Sequence, residues 1–263
     1  MMIKEMKIWE NEIPLFDENI PFENRMTAYL HEDGEVHPAM IVYPGGGYCI
    51  HGEWECDPVA QFYYDNGYNA FIVYYRVRPY PHPAPMLDAQ MAVKSVRAHA
   101  DEWGVDPTRV FGVGFSAGGH LCGYVAVFGD IVNEYLPTAP TTDSRLTGAI
   151  LGYPVTCAEP EAGHQDSFRH ILGEDATQER LDTLSLEKHI SEKTSPIFMW
   201  HTIPDTLVPF EHSLRLTKAM AAAGRYVECH LFPEGEHGNA MADWLPGACQ
   251  WGNLSLDFMK RVK

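Results

Sequence analysis

Gly114-Phe115-Ser116-Ala117-Gly118 sets a serine between two glycines, each two residues away. A serine hydroxyl is a weak nucleophile on its own. It becomes reactive when a base takes its proton, an acid orients the base and N–H groups stabilise the oxyanion that forms. The apolar residues 110–115 (VFGVGF) read as a strand, and the small residues after Ser116 read as a helix. The serine then stands on a sharp strand-to-helix turn, where anything larger than glycine two residues before or after would clash. The start of that helix also favours negative charge. A glycine-rich turn with a plain capping serine shares part of this pattern, so the partners downstream decide between the two.

Asp205 is the expected acid. It follows the strand-like residues 197–202 (IFMWHT) and precedes a helix beginning near Pro209. Glu211 is the alternative, but it falls inside that helix. His237 is the expected general base, in the polar loop Glu234-Gly235-Glu236-His237-Gly238 after the last strand. The order serine, acid, histidine leaves room for the intervening strands and helices. The chain has 13 histidines, so composition selects none of them. His201, at a strand end, and His230, within a strand, read as structural residues, and His120 as packing beside the serine.

Two backbone donors must meet the oxyanion. One is the N–H of Ala117, just after the serine. The other belongs to the loop Tyr43-Pro44-Gly45-Gly46-Gly47-Tyr48, where Gly46 and Gly47 are equal candidates. A phosphate-binding loop is the competing use of such glycines. It would need a following Lys-Ser/Thr or a G-x-G-x-x-G spacing, and neither is present.

The elements that must position these residues alternate along the chain. Strands are expected at 26–31, 38–43, 70–75, 110–115, 148–153, 197–202 and 226–232. Helices are expected at 57–66 (with Asp57 as N-cap before Pro58), 87–100, from Ser116 onward, 210–223 and 254–261. Asp106-Pro107 reads as a turn. Such alternation predicts a mostly parallel central sheet with helices on both faces. Residues 1–263 read as one domain, with a polar insert near 154–195 lying over the active site.

Bulk properties narrow the class. Hydrophobic residues are 45 % and charged residues 21 %, the balance of a folded globular chain. The net charge of −17 disfavours phosphate backbones and anionic membrane surfaces, so neither nucleic acid nor membrane is an expected partner. No secretory signal is apparent, and the six scattered cysteines suit free thiols in a reducing cytoplasm. No HExxH motif or Cys/His ligand cluster marks a metal site, so no metal or cofactor is expected. Oligomeric state is left open.

With these residues in view, the chain resembles α/β-hydrolase-fold esterases of the lipase/acetyl-esterase kind. It is most similar to the subgroup related to bacterial acetyl-xylan and feruloyl esterases, which carries PGGGY where lipases carry HGGG. The resemblance spans 43–237. It rests on PGGGY at 44–48, DPTRV at 106–110, GFSAGGH at 114–120, DTLVP at 205–209 and EHG at 236–238. It implies an acyl-enzyme mechanism with Ser116 as nucleophile, Asp205 as acid, His237 as base and oxyanion donors from the glycine loop and Ala117. Pro44 in place of histidine separates the chain from hormone-sensitive-lipase-type esterases, and no large cap domain is expected. The expected substrate is a short-chain acyl ester, an acylated oligosaccharide among the candidates. Tyr48, His51 and Trp54, with Trp244, are candidate pocket walls because aromatic faces stack on sugars and acyl groups. Two alternatives are a peptidase or amidase of the prolyl-oligopeptidase kind and a non-catalytic binding protein on the same fold.

Overall fold

The computed structural model describes residues 1–262. Its centre is an eight-stranded sheet. The strands are β1 (Met2–Met6), β2 (Arg25–Leu30), β3 (His37–Tyr43), β4 (Asn69–Tyr74), β5 (Val105–Phe115), β6 (Gly148–Gly152), β7 (Ile197–Thr202) and β8 (Val227–Phe232). Their spatial order is β1-β2-β4-β3-β5-β6-β7-β8. The ladders β1·β2 and β2·β4 are antiparallel, and those from β4 through β3 to β8 are parallel. This is the α/β-hydrolase fold.

Side chains of a strand alternate between the two faces of the sheet, and each face here is covered by helices. Ala39, Ile41 and Tyr43 of β3 join one core; Met40 and Val42 join the other. The first core is closed by α2 (Ala84–Ala98), α4 (Ser116–Val127) and α8 (Glu211–Ala222), through residues such as Leu87, Leu121 and Leu216. The second is closed by α1 (Asp57–Asp65) and α9 (Trp251–Arg261), through Val59, Tyr63, Trp251 and Phe258. Two short helices, α3 (Ala100–Trp103) and α5 (Val132–Tyr135), lie between these elements, and α6 (Asp166–Leu172) and α7 (Gln178–Asp182) lie between β6 and β7.

The strands and helices expected from sequence recur within a few residues of their bounds, and the exceptions have physical reasons. Strand β1 was not anticipated. It is an edge strand whose residues are mostly exposed, so it carries no apolar signature, and its register is set by pairing Met2 to Leu30 and Met6 to Met26. Asp57 is not the N-cap of α1. Cys56 holds that position without a side-chain cap, and Asp57 instead accepts a hydrogen bond from the Tyr29 hydroxyl at 2.8 Å. The expected turn at Asp106-Pro107 is absorbed into β5 as an irregularity. Asp106 accepts from the Thr108 N–H, and the pairing with β3 slips between His37 and Ala39.

Residues between β6 and β7 reach the strand ends on two sides. His170 donates from Nδ1 to the Gly47 carbonyl at 2.6 Å, and His164 donates from Nδ1 to the Leu207 carbonyl at 3.1 Å. Among the described residues no helix is long and apolar enough to cross a membrane. All six cysteines are free.

Candidate active site

Four segments leave the carboxyl ends of neighbouring parallel strands and converge: 44–47 after β3, Ser116 after β5, Asp205 after β7 and His237 after β8. Open parallel sheets build their sites at this edge because every strand delivers a loop there.

Ser116 is held at φ +53°, a left-handed backbone that costs a non-glycine residue about 1–3 kcal/mol. The surrounding glycines make that turn possible. A Cβ on Gly114 would lie 2.2 Å from the Gly118 carbonyl oxygen, and one on Gly118 would lie 2.2 Å from that of Tyr43. Both positions therefore exclude any side chain.

Ser116 Oγ is 2.8 Å from His237 Nε2, and His237 Nδ1 is 2.7 Å from Asp205 Oδ2. A carboxylate can only accept, so Nδ1 carries the imidazole proton and the Nε2 lone pair faces the serine hydroxyl. That tautomer is the one a proton acceptor needs. The Tyr153 ring packs edge-on against the His237 ring, with centroids 4.9 Å apart.

Asp205 is fixed on both oxygens. Oδ1 accepts from the N–H groups of Leu207 and Val208 at 3.0 and 2.9 Å. Oδ2 accepts from His237 and also lies 3.3 Å from His201 Nε2. That His201 N–H is shared with the Val208 carbonyl at 2.8 Å, while its Nδ1 accepts from the Ser213 hydroxyl at 2.9 Å. Burial alone would push the Asp205 carboxyl up. The hydrogen bonds from His201, His237 and Val208 outweigh that penalty and hold it well below the usual carboxylate range. Glu211 pairs instead with Arg215 at 3.1 Å, and His230 with Glu228 at 2.8 Å.

The glycine loop sits beside the serine. The Gly45 N–H is taken by Glu55 Oε2 at 2.6 Å, and the Gly45 carbonyl accepts from Gly52 at 2.9 Å. The Gly46 carbonyl accepts from Cys49 and Ile50. Among the described residues, no protein acceptor takes the N–H of Gly46 or Gly47. Ala117 is the second residue of α4, whose first N–H groups have no partner within the helix. Three backbone donors thus stand free near the serine. Gly46, at φ +127°, admits no side chain, since a Cβ there would lie 2.2 Å from the Ile50 carbonyl oxygen.

The expected pocket walls divide. Tyr48 is corrected: it is fully buried, and its hydroxyl donates to His120 Nδ1 at 2.6 Å. His120 Nε2–H in turn donates to the Leu184 carbonyl at 2.9 Å, and burial pushes the His120 pKa down to about 4. His51 is tied to the residue that follows β4. Its Nε2 donates to the Tyr75 carbonyl at 2.9 Å, and it lines a separate cavity of about 260 Å³ with Phe22, Arg25 and Tyr74. Trp54 is 54 % exposed and stands at the shoulder of the histidine loop, its Nε1 3.9 Å from where a Cβ on Gly238 would be. Trp244 is exposed.

His31, Asp33 and His37 bring potential metal ligands within 4.8 Å of one another, although their spacing along the chain matches no metal-binding motif. They lie at the opposite end of β3 from the glycine loop. The two imidazoles stack 4.0 Å apart and 14° from parallel, so no single ion can lie in both ring planes.

The family model BD-FAE matches residues 26–220. The chain belongs to the BD-FAE family. An endo-1,4-beta-xylanase B of Butyrivibrio fibrisolvens is 35 % identical over 90 % of this BD-FAE chain and 38 % of its own length. An acetylxylan esterase of Xylanibacter ruminicola is 26 % identical over 84 % of the chain and 44 % of its own length. The chain thus spans less than half of these curated relatives. The crystal structure of an acetyl ester-xyloside bifunctional hydrolase from Caldicellulosiruptor lactoaceticus is similar throughout. It shares 36 % identity at a TM-score of 0.91 and covers 98 % of this chain and 95 % of that one. The carboxylesterase Cest-2923 of Lactobacillus plantarum, at 24 % identity and a TM-score of 0.81, supports the fold alone. Kinship and structural likeness agree on the BD-FAE family and the α/β-hydrolase fold.

Proposed function

We propose that this BD-FAE chain is a serine carboxylesterase acting on short-chain acyl esters through Ser116, His237 and Asp205. The observation that carries the reading is the unbroken hydrogen-bonded chain from Ser116 Oγ through both nitrogens of His237 to Asp205.

His237 Nε2 takes the hydroxyl proton as Ser116 Oγ attacks the ester carbonyl carbon. The carbonyl electron pair moves onto oxygen, and the N–H groups of Ala117 and of Gly46 and Gly47 stabilise the negative charge. Asp205 holds the imidazole in register and stabilises the imidazolium that forms. As the tetrahedral intermediate collapses, His237 gives its proton to the departing alcohol. A water molecule then attacks the acyl-enzyme, with His237 again as base, and the carboxylic acid leaves with Ser116 restored. Because Glu55 occupies the Gly45 N–H, the oxyanion role falls to the two glycines that follow.

The proposed substrate is a small acylated sugar, whose freed hydroxyl is the departing alcohol. Two relatives are named for acetylated xylan or xyloside, and the exposed Trp54 beside the histidine loop offers an aromatic face for stacking. The chain is proposed to act as a single domain, with the 154–195 insert bordering the cleft.

A fluorophosphonate probe, which reacts only with an activated serine, tests the reading. A single adduct on Ser116, lost in His237→Ala, is expected. Absence of any adduct on folded protein would overturn it.

A further inference from the structure

Glu55 is a carboxylate where the fold has little water: it is 2 % exposed, in the short turn before α1. Neither the proton transfers nor the oxyanion contacts use it, yet both of its oxygens are engaged. Oε2 accepts from the Gly45 N–H at 2.6 Å, and Oε1 accepts from the Tyr153 hydroxyl at 2.6 Å. The same Tyr153 oxygen accepts from the Ala240 N–H at 2.9 Å, three residues beyond His237. Tyr153 is fully buried, sits just past β6 at φ +35°, and lays its ring edge against the His237 imidazole.

A single buried carboxylate therefore joins the loop that presents Gly46 and Gly47 to the loop that presents His237. We infer that Glu55 is a positioning residue that, through Tyr153, fixes the oxyanion loop and the histidine loop relative to one another. The inference rests on the serine-esterase reading above. Its physical basis is the cost of misplacing reacting groups, where a shift of about 1 Å removes roughly 100-fold in rate. Both Glu55 oxygens act as acceptors, which only the carboxylate form satisfies fully. Burial pushes the Glu55 carboxyl up, and the bonds from Tyr153 and Gly45 oppose that shift.

Glutamine at this position has nearly the same shape but cannot replace the link. Its amide offers one accepting oxygen and one donating nitrogen. If the oxygen takes the Gly45 N–H, the nitrogen faces Tyr153, whose proton then has no acceptor. If the amide turns over, two donors meet at Gly45. One of the two loops is released either way.

The test is steady-state hydrolysis of p-nitrophenyl acetate by wild type, Glu55→Gln, Tyr153→Phe, the double variant and Ser116→Ala, with rates expressed per folded protein. The expected result is a kcat about 10- to 100-fold lower in Glu55→Gln, with KM changed less than about 3-fold. Tyr153→Phe should lower kcat similarly, and the double variant should be no worse than the worse single one, because both break one linkage. Wild-type kcat in Glu55→Gln beside an inactive Ser116→Ala would overturn the inference and leave the esterase reading standing. Losses that simply multiply in the double variant would overturn it too. An active Ser116→Ala would overturn the serine reading and this inference with it. If Glu55→Gln does not fold, Tyr153→Phe decides alone: reduced kcat at unchanged KM supports the link, and wild-type kcat refutes it.

Discussion

Gly45 approaches Ser116 so closely that a methyl group on the glycine would lie 3.1 Å from the serine Cβ. The same methyl would meet the Phe115 carbonyl oxygen at 2.7 Å and Glu55 Oε2 at 2.8 Å. Two of these three neighbours belong to the serine turn, and the third is the carboxylate that anchors the glycine loop.

Gly45→Ala is therefore expected to push the loop off its anchor. The clash costs about 1–3 kcal/mol of stability, and the displaced donors lower kcat by roughly 100-fold. KM and kcat on p-nitrophenyl acetate, with the urea midpoint of the same samples, check this. An alanine variant with full activity would mean that the loop does not serve the reaction from this position.

Asp205→Asn should leave the loop in place but remove the charge that selects the His237 tautomer. The expected fall in kcat is roughly 10³- to 10⁴-fold, with the fold retained. The variant should also be less sensitive to strong acid. A carboxyl held below its ordinary value stabilises the fold above about pH 4, and that contribution is lost as the pH falls further. Denaturant titrations at pH 5 and pH 3 on both proteins read the difference. Equal loss in the two would show that Asp205 is not the acid-sensitive group.

Buried histidines set a second, milder window. Burial pushes His120 and His82 down to about 4 and His212 to about 3. The unfolded chain takes up these protons near pH 6.5, so it binds more protons than the fold below that pH. Stability should therefore decline as the pH falls from about 6.5 toward 4, and His120→Asn should shallow the slope if the variant folds. A urea midpoint constant across that range would contradict these environments.

Tyr48 and Trp54, six positions apart and both expected as pocket walls, should behave differently. Tyr48→Phe leaves the buried His120 Nδ1 without a donor, costing about 1–3 kcal/mol, with KM unchanged. Trp54→Ala should leave stability intact because the indole is exposed, and raise KM about 3- to 10-fold on acetylated xylosides while sparing p-nitrophenyl acetate. Thermal midpoints and KM values for both variants separate packing from recognition; a reversed pattern would reassign the two residues.

These contrasts mark where sequence stops being informative. The turn around Ser116 is legible because its glycines answer a steric demand within five consecutive residues. Asp205 and His237 are legible because chain order and strand ends confine the choices. The strands β3, β5 and β7 carry dense apolar runs that only a buried sheet explains. Strand β1 has no such run, and its pairing with β2 exists only in three dimensions. Glu55 and Tyr153 were missed for the same reason: 98 residues separate them along the chain, and a glutamate in a polar turn looks solvated until the fold closes over it. Tyr48 reads as a pocket wall because aromatic faces stack on sugars and acyl groups, yet its side chain turns inward to His120.

The most direct test of the central claim is hydrolysis of p-nitrophenyl acetate, butyrate and octanoate by wild type and Ser116→Ala, both verified as folded. The account predicts turnover of the short esters by wild type, a loss of roughly 10⁶-fold in the variant, and little activity on octanoate. Equal hydrolysis by both proteins, or none by wild type on any ester, would contradict it.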